Sequence, residues 1–219
     1  MTARATARIA MIAAVYAAAS LACTLVLSGL AWGPVQFRVS EALMVLALFT
    51  PDATWGLALG CALANLAGIA FSGYGVVGLL DVVGGSVATG LAAAAMWRLR
   101  AHPSLALAMP VLTNAVIVPL YMPVLLWSVG FTTVPFTSLS LEQSYGLVYL
   151  FCAACLAVGE AVVLYVVGAP LFAALKRSPL PQLLGAGSVQ GAALEQGVLP
   201  VQHAASPAKS RTPKAGGGA

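Results

Sequence analysis

The sequence predicts an all-α, polytopic integral membrane protein built as a six-helix bundle, and three observations carry that prediction. Hydrophobic residues make up 61% of the 219-residue chain and charged residues 7%, which excludes a soluble domain. Apolar runs recur through residues 1–177, near the length of about 20 residues that ~30 Å of hydrocarbon demands of a helix. These runs are continuously apolar rather than alternating, so the backbone satisfies itself through helices and not through a closed barrel.

The first span, residues 9–32, follows Arg4 and Arg8. Two positive charges before an apolar stretch also suit a signal peptide, and Ser20-Leu21-Ala22-Cys23 resembles a lipoprotein cleavage site. The apolar run continues past Cys23, however, and cleavage would disturb the charge asymmetry, so an uncleaved transmembrane helix is expected. The second span, residues 40–49, is too short to cross alone. It must start inside the preceding loop, tilt with local thinning, or be buried by its neighbours. The remaining spans are residues 54–71, 76–97, 105–129 and 144–175. From Ser178 the composition turns to Pro, Gly, Ala, Ser and Gln, with Pro179, Pro181, Pro200, Pro207 and Pro213. Residues 178–219 are therefore expected to be a disordered cytoplasmic tail on a transmembrane domain of residues 1–177. No internal repeat is evident, which argues against inverted-repeat transporters.

Basic residues orient the bundle. With six spans, Arg4, Arg8, Arg98, Arg100, Lys176, Arg177, Lys209, Arg211 and Lys214 fall on one face, the cytoplasmic one, with both termini. Arg38 is the exception. The pI near 9.0 follows from this sidedness, and no basic cluster with interleaved aromatics points to nucleic acid. Small residues recur every four positions: Ala10, Ala14, Ala18 and Ala22; Gly56, Gly60, Ala64 and Gly68; Ser86, Gly90 and Ala94. Such faces let helix backbones approach closely. Those of the third and fourth spans are expected to pack internally; the alanine face of the first equally suits a separate membrane subunit.

The few polar residues at membrane depth are functional-site candidates, because burying an ionisable group in lipid costs about 2.5–3.5 kcal/mol on insertion scales. At ~1.5 Å per residue, Arg38, Glu41, Asn65 and Asp81 all fall within roughly 10 Å of the outer boundary, and Gln36 lies on the approach to them. Asn114 and Glu160 lie deeper. Three carboxylates, one Arg and three amides suggest a polar pocket opening outward, in which Arg38 either forms a plain salt bridge with Glu41 or serves a ligand. Enzyme readings lack support. There is no H-E-x-x-H and no G-x-S-x-G. Ala70-Phe71-Ser72-Gly73 loosely resembles an intramembrane serine protease turn, yet the histidines, His102 and His203, sit in an inner loop and the tail. Lys176, Lys209 and Lys214 never follow Gly, so no phosphate-cradling loop exists. The four cysteines, Cys23, Cys61, Cys152 and Cys155, lie in apolar helices; Cys152 and Cys155 form a C-x-x-C with no second ligand pair for zinc. Neither metal nor cofactor is expected, and energy for active transport would come from another subunit or an ion gradient.

Several motifs together resemble a known family. Gly33-Pro34-Val35-Gln36-Phe37-Arg38-Val39-Ser40-Glu41-Ala42-Leu43 is similar to the signature of the QueT-type queuosine-precursor transporters. These are substrate-binding S components of energy-coupling-factor (ECF) transporters. The resemblance continues in Leu80-Asp81-Val82-Val83-Gly84-Gly85-Ser86-Val87-Ala88-Thr89, in Asn114-Ala115-Val116-Ile117-Val118 and in Gly159-Glu160-Ala161-Val162-Val163-Leu164-Tyr165. It covers roughly residues 5–176. Two positions depart from it: Gly85 stands where the family usually has a larger apolar residue, and Pro119 where it usually has Gly.

The resemblance implies a subunit of a prokaryotic plasma membrane that captures substrate from outside and works with a transmembrane scaffold protein and two cytoplasmic ATPases. It gives the Ala10, Ala14 and Ala18 face a role in contacting that scaffold, and it implies a toppling motion that carries the loaded pocket across the membrane. The implied ligand is a 7-deazaguanine bearing an aminomethyl or cyano group, bound among Gln36, Phe37, Arg38, Glu41, Asn65, Asp81, Asn114 and Glu160. In that reading Glu160 or Glu41 holds the guanine-like edge and Asp81 the ammonium, Arg38 orients Glu41, and Phe37 or Tyr74 stacks on the ring. An S component for another vitamin or nucleobase, and a self-sufficient secondary transporter, are the alternatives.

Overall fold

Helix follows helix with short reversals through residues 2–27, 38–133, 138, 140 and 145–184, which are those described by the computed structural model. The elements are α1 (Ala3–Leu27), α2 (Val39–Leu48), α3 (Asp52–Ser72), α4 (Leu79–Arg98), α5 (Pro103–Ile117), α6 (Met122–Ser128), α7 (Tyr145–Val162), α8 (Ala169–Lys176) and the short α9 (Leu180–Leu183). No strand occurs among the described residues, so the all-α expectation holds. Five helical stretches are long and apolar enough to cross a membrane: Ala3–Val26, Asp52–Ser72, Gly75–Arg98, Pro103–Leu120 and Tyr145–Lys176.

The second predicted span, α2, is a shorter apolar helix than these five, and two features bear on its length. It winds as a 3₁₀-helix, whose rise of about 2.0 Å per residue stretches ten residues to about 20 Å. It is also enclosed: α1, α3, α4, α5, α8 and the 163–168 segment all pack on it, and Ser40, Glu41, Ala42 and Met44 through Leu48 are buried. Of the three routes open to a short span, burial by neighbours is the one the described residues display. The main apolar core surrounds this helix, with Ile12 and Tyr16 from α1, Leu57 and Cys61 from α3, Met96 from α4 and Leu107 from α5. A second cluster joins Val118, Met122 and Leu126 to Val148, Cys152 and Leu156.

On α3 the outward face carries the large side chains and the inward face the small ones. Trp55, Leu59, Leu63 and Leu66 are exposed, whereas Gly56, Gly60, Ala64 and Gly68 are buried. The small face therefore packs internally, as expected. A Cβ at Gly60 would lie 2.8 Å from Tyr16 Cβ and 2.9 Å from the Ala13 carbonyl oxygen, so α1 and α3 meet at backbone distance. On α4 the buried face runs through Asp81, Gly85, Ala88, Thr89, Ala92, Ala93 and Met96. The expected Ser86, Gly90 and Ala94 stripe lies beside it and is half-buried. Ala10, Ala14, Ala18 and Ala22 of α1 are exposed, because Ile9, Ile12, Ala13, Tyr16 and Ser20 take the inner face.

Two predicted spans are interrupted. Residues 105–129 form α5 and α6, separated by a 3₁₀ turn at Val118–Leu120; Pro119 lacks the amide donor that a continuing helix needs. Residues 144–175 contain a π-helical segment, Val163–Gly168, between α7 and α8. The ordered chain also runs past Ser178, where the sequence places the start of the tail: Leu180–Leu183 is helical. Leu184 is buried in the main core. Burial of that leucine contributes to the ordering of a Pro-rich stretch that composition alone assigns to the tail. At the end of the bundle bearing the α1 N-terminus, Arg8 pairs with Asp52 at 2.6 Å and ties α1 to α3.

Candidate functional site

The site begins where α2 begins. Arg38 has extended backbone, φ −92° and ψ 94°. Its carbonyl accepts the Glu41 amide at 2.9 Å. This first turn delivers Ser40 and Glu41 into the bundle, at 1% and 3% exposure. Helix α1 receives both: Ser20 Oγ donates to Ser40 Oγ at 2.7 Å, and the Tyr16 hydroxyl donates to Glu41 Oε1. The other carboxylate oxygen, Glu41 Oε2, is buried without a hydrogen-bond partner among the described residues.

Asp81, in the first turn of α4, is held from every side. Its Oδ1 accepts the Tyr121 hydroxyl at 2.8 Å, and its Oδ2 faces Arg38 Nη2 at 3.5 Å. Its backbone carbonyl accepts Asn65 Nδ2 at 2.8 Å. Asn65 Oδ1 accepts Arg38 Nη2 at 2.5 Å, so one amide bridges the guanidinium and the α4 backbone. Adjacent glycines make room for these contacts. A Cβ at Gly84 would collide with the Tyr121 ring, and one at Gly85 would sit 2.8 Å from Asn65 Nδ2. Tyr74, in the reversal between α3 and α4, has its phenol pushed up to about 12, by burial first and by the charge of Asp81 second.

Deeper in the bundle, Asn114 Nδ2 donates to Glu160 Oε1 at 3.1 Å, with both side chains buried. Each lies just before a break in its helix, Asn114 before the Val118–Leu120 turn and Glu160 before the π segment. Departures of this kind from α geometry recur at functional sites. All three carboxylates meet in one cavity, lined by Arg38, Glu41, Asp81, Gly85, Thr89, Asn114, Val118, Leu156 and Glu160. Its volume of ≈ 30 Å³ exceeds the ~10–15 Å³ that one water needs but is too small for a fused double ring, which enters only if side chains such as Arg38 change rotamer. Chemically, the walls offer carboxylate acceptors against one guanidinium, with Val118 and Leu156 as apolar flanks. That suits a small ligand rich in N–H donors.

Of the residues predicted from sequence, Arg38, Glu41, Asp81, Asn114 and Glu160 line the cavity. Asn65 sits behind it, reaching it through Arg38. Gln36 and Phe37 lie outside the described residues. The expected pairing of Arg38 with Glu41 is replaced: Arg38 bonds Asn65 and Asp81, and Tyr16 takes the role of steadying Glu41. Tyr74 is buried within the electrostatic reach of Asp81 and does not line the cavity. Sequence reasoning missed Tyr16, Tyr121 and Thr89. Tyr16 had a signal, being the lone aromatic of the alanine-rich α1. Tyr121 and Thr89 had none, since their roles depend on which helices meet.

No curated protein and no solved structure matches the chain. The model of the QueT transporter family matches residues 6–177, a range that holds every lining residue of the cavity. This multi-pass helical membrane protein therefore belongs to the QueT transporter family.

Proposed function

We propose that this chain is the substrate-capturing S component of an ECF-type transporter for a queuosine precursor, a 7-deazaguanine with an aminomethyl or cyano substituent. The observation that carries the reading is the cavity in which Glu41, Asp81 and Glu160 converge with Arg38, inside a member of a transporter family. A guanine-like edge presents adjacent ring N–H and amino donors that a carboxylate accepts in pairs, and Glu41 and Glu160 supply such acceptors. An aminomethyl ammonium needs a second carboxylate, Asp81, for which it competes with Arg38. The ligand's carbonyl suits Arg38 or the Asn114 amide, and Gln36 and Phe37 complete the set. Substrate enters from the outer face, both termini are cytoplasmic, and the membrane is the plasma membrane of a prokaryote. Energy comes from two ATPases through a transmembrane scaffold that docks on Ala10, Ala14 and Ala18; their exposure on α1 supports that docking.

Equilibrium dialysis of the purified protein against 7-aminomethyl-7-deazaguanine, 7-cyano-7-deazaguanine and guanine tests the reading. Binding of a 7-deazaguanine in preference to guanine is expected, with Glu41→Gln and Glu160→Gln each weakening it at least tenfold. Affinity unchanged in both variants would remove the two glutamates from the ligand site. Binding of a different base or vitamin alone would make the chain an S component of other specificity. Uptake into liposomes without ATP or partner subunits would make it a secondary transporter. Co-purification with a scaffold and two ATPases is the matching test of the ECF assignment.

A further inference from the structure

The three carboxylates of the cavity are not equivalent. Asp81 has both oxygens engaged, by Tyr121 and by Arg38. Glu160 has one oxygen on Asn114. Glu41 alone has a side-chain oxygen that is fully buried and without a partner among the described residues. An unsatisfied buried acceptor is costly, and it persists where another group completes it. The partner of Glu41 Oε1 explains why Oε2 stays available. Tyr16 is fully buried on the inner face of α1, its Cβ lying where a side chain at position 60 would intrude, which glycine avoids. From there its hydroxyl occupies Oε1 and sets the rotation of the carboxyl group. The neighbouring Ser20–Ser40 bond pins the same turn of α2 to α1, so Glu41 cannot follow a different path into the bundle.

We infer that Tyr16 is a positioning residue for substrate: it anchors one oxygen of Glu41 so that Oε2 is presented to a donor of the ligand as its leading acceptor. This rests on the proposed 7-deazaguanine reading for the identity of the donor, and on the α1–α2 geometry alone for the anchoring. Tyr16 itself does not line the cavity and makes no contact with substrate. Specificity would follow from the arrangement, because a ligand lacking the donor opposite Oε2 gains nothing from an anchored Glu41.

Tyr16→Phe removes the hydroxyl and keeps the buried ring. In equilibrium dialysis it is expected to lose about 10- to 100-fold in affinity for the 7-deazaguanine that wild type binds, as befits a hydrogen bond to a charged group. In the Glu41→Gln background the same change is expected to cost less than about threefold, since there is then no carboxylate to anchor; a purely structural role would cost the same in both backgrounds. Infrared difference spectra of the ligand-free protein, with Glu41→Gln assigning the band, read the anchoring directly. The Glu41 band is expected to move in Tyr16→Phe. Wild-type binding with unchanged affinity in Tyr16→Phe would overturn the inference and leave the proposed function standing. A stationary Glu41 band would overturn it whatever the ligand. If wild type bound no 7-deazaguanine while the band moved, the anchoring would stand and the substrate class would fall.

Discussion

Replacing Gly60 with alanine tests how closely the site depends on the contact between α1 and α3. The added methyl would stand 2.8 Å from Tyr16 Cβ, 2.9 Å from the Ala13 carbonyl oxygen and 3.1 Å from Ala13 Cα, where ordinary contact begins at 3.4 Å. None of these is the free end of a flexible side chain, so α1 must retreat by roughly half an ångström. Overpacking of this kind costs about 1–3 kcal/mol, and the better helix propensity of alanine returns up to about 1 kcal/mol. The net loss is roughly 1 kcal/mol. Gly90→Ala is the control, because its methyl would only touch Ala58 Cβ at 3.4 Å and keeps the propensity gain. In a detergent-solubilised melting experiment, Gly60→Ala is expected to unfold several degrees below Gly90→Ala, which matches or exceeds wild type. A retreating α1 also draws Tyr16 from Glu41, so ligand affinity is expected to fall in Gly60→Ala and not in Gly90→Ala. Equal melting temperatures for the two variants would refute the claim that backbone contact at Gly60 sets the position of α1.

Further expectations follow from the same geometry. The Arg38–Asp81 pair retains 15% and 11% side-chain exposure, so Asp81→Asn is expected to cost about 2–3 kcal/mol, below the loss typical of a fully buried pair. The double variant Arg38→Met/Asp81→Leu recovers most of that in denaturant unfolding, because no unpaired charge remains. Tyr74, with its phenol at about 12, resists ionisation in the folded protein while the unfolded chain ionises near its ordinary value of 10.0. Its contribution is therefore intact below about pH 10 and lost as pH rises toward 12. Comparing alkaline unfolding of wild type and Tyr74→Phe checks the sign, the variant losing less stability across that window. On the proposed docking face, Ala14→Trp is expected to abolish co-purification with a scaffold subunit while leaving ligand affinity within about twofold, since Ala14 is exposed and faces away from Tyr16.

Much of the architecture was legible because it is local. Continuous apolar runs located the spans, and the four-residue spacing of Gly56, Gly60, Ala64 and Gly68 marked a face that indeed packs internally. The depth of rare polar residues along their helices placed Arg38, Glu41, Asp81, Asn114 and Glu160 near one another, and these five line a single cavity. The errors were of a different kind. Composition assigns Leu184 to the tail, although it is buried in the main apolar core. Sequence proximity suggested that Arg38 would steady Glu41, three positions away, but the guanidinium reaches across to Asn65 and Asp81 on other helices.

The sequence by itself determined that this chain is a helical membrane protein with a short second span and a sparse set of buried polar residues. Helix length and periodicity depend on neighbours within one or two turns, and the cost of charge in lipid makes each polar residue conspicuous. Only the tertiary structure decided which polar group meets which. Hydrogen-bond partners are set by helix rotation and by backbone approach at Gly60, Gly84 and Gly85, to within tenths of an ångström. That precision made Asp81 the fully engaged carboxylate and left Glu41, anchored by Tyr16, with an oxygen to offer.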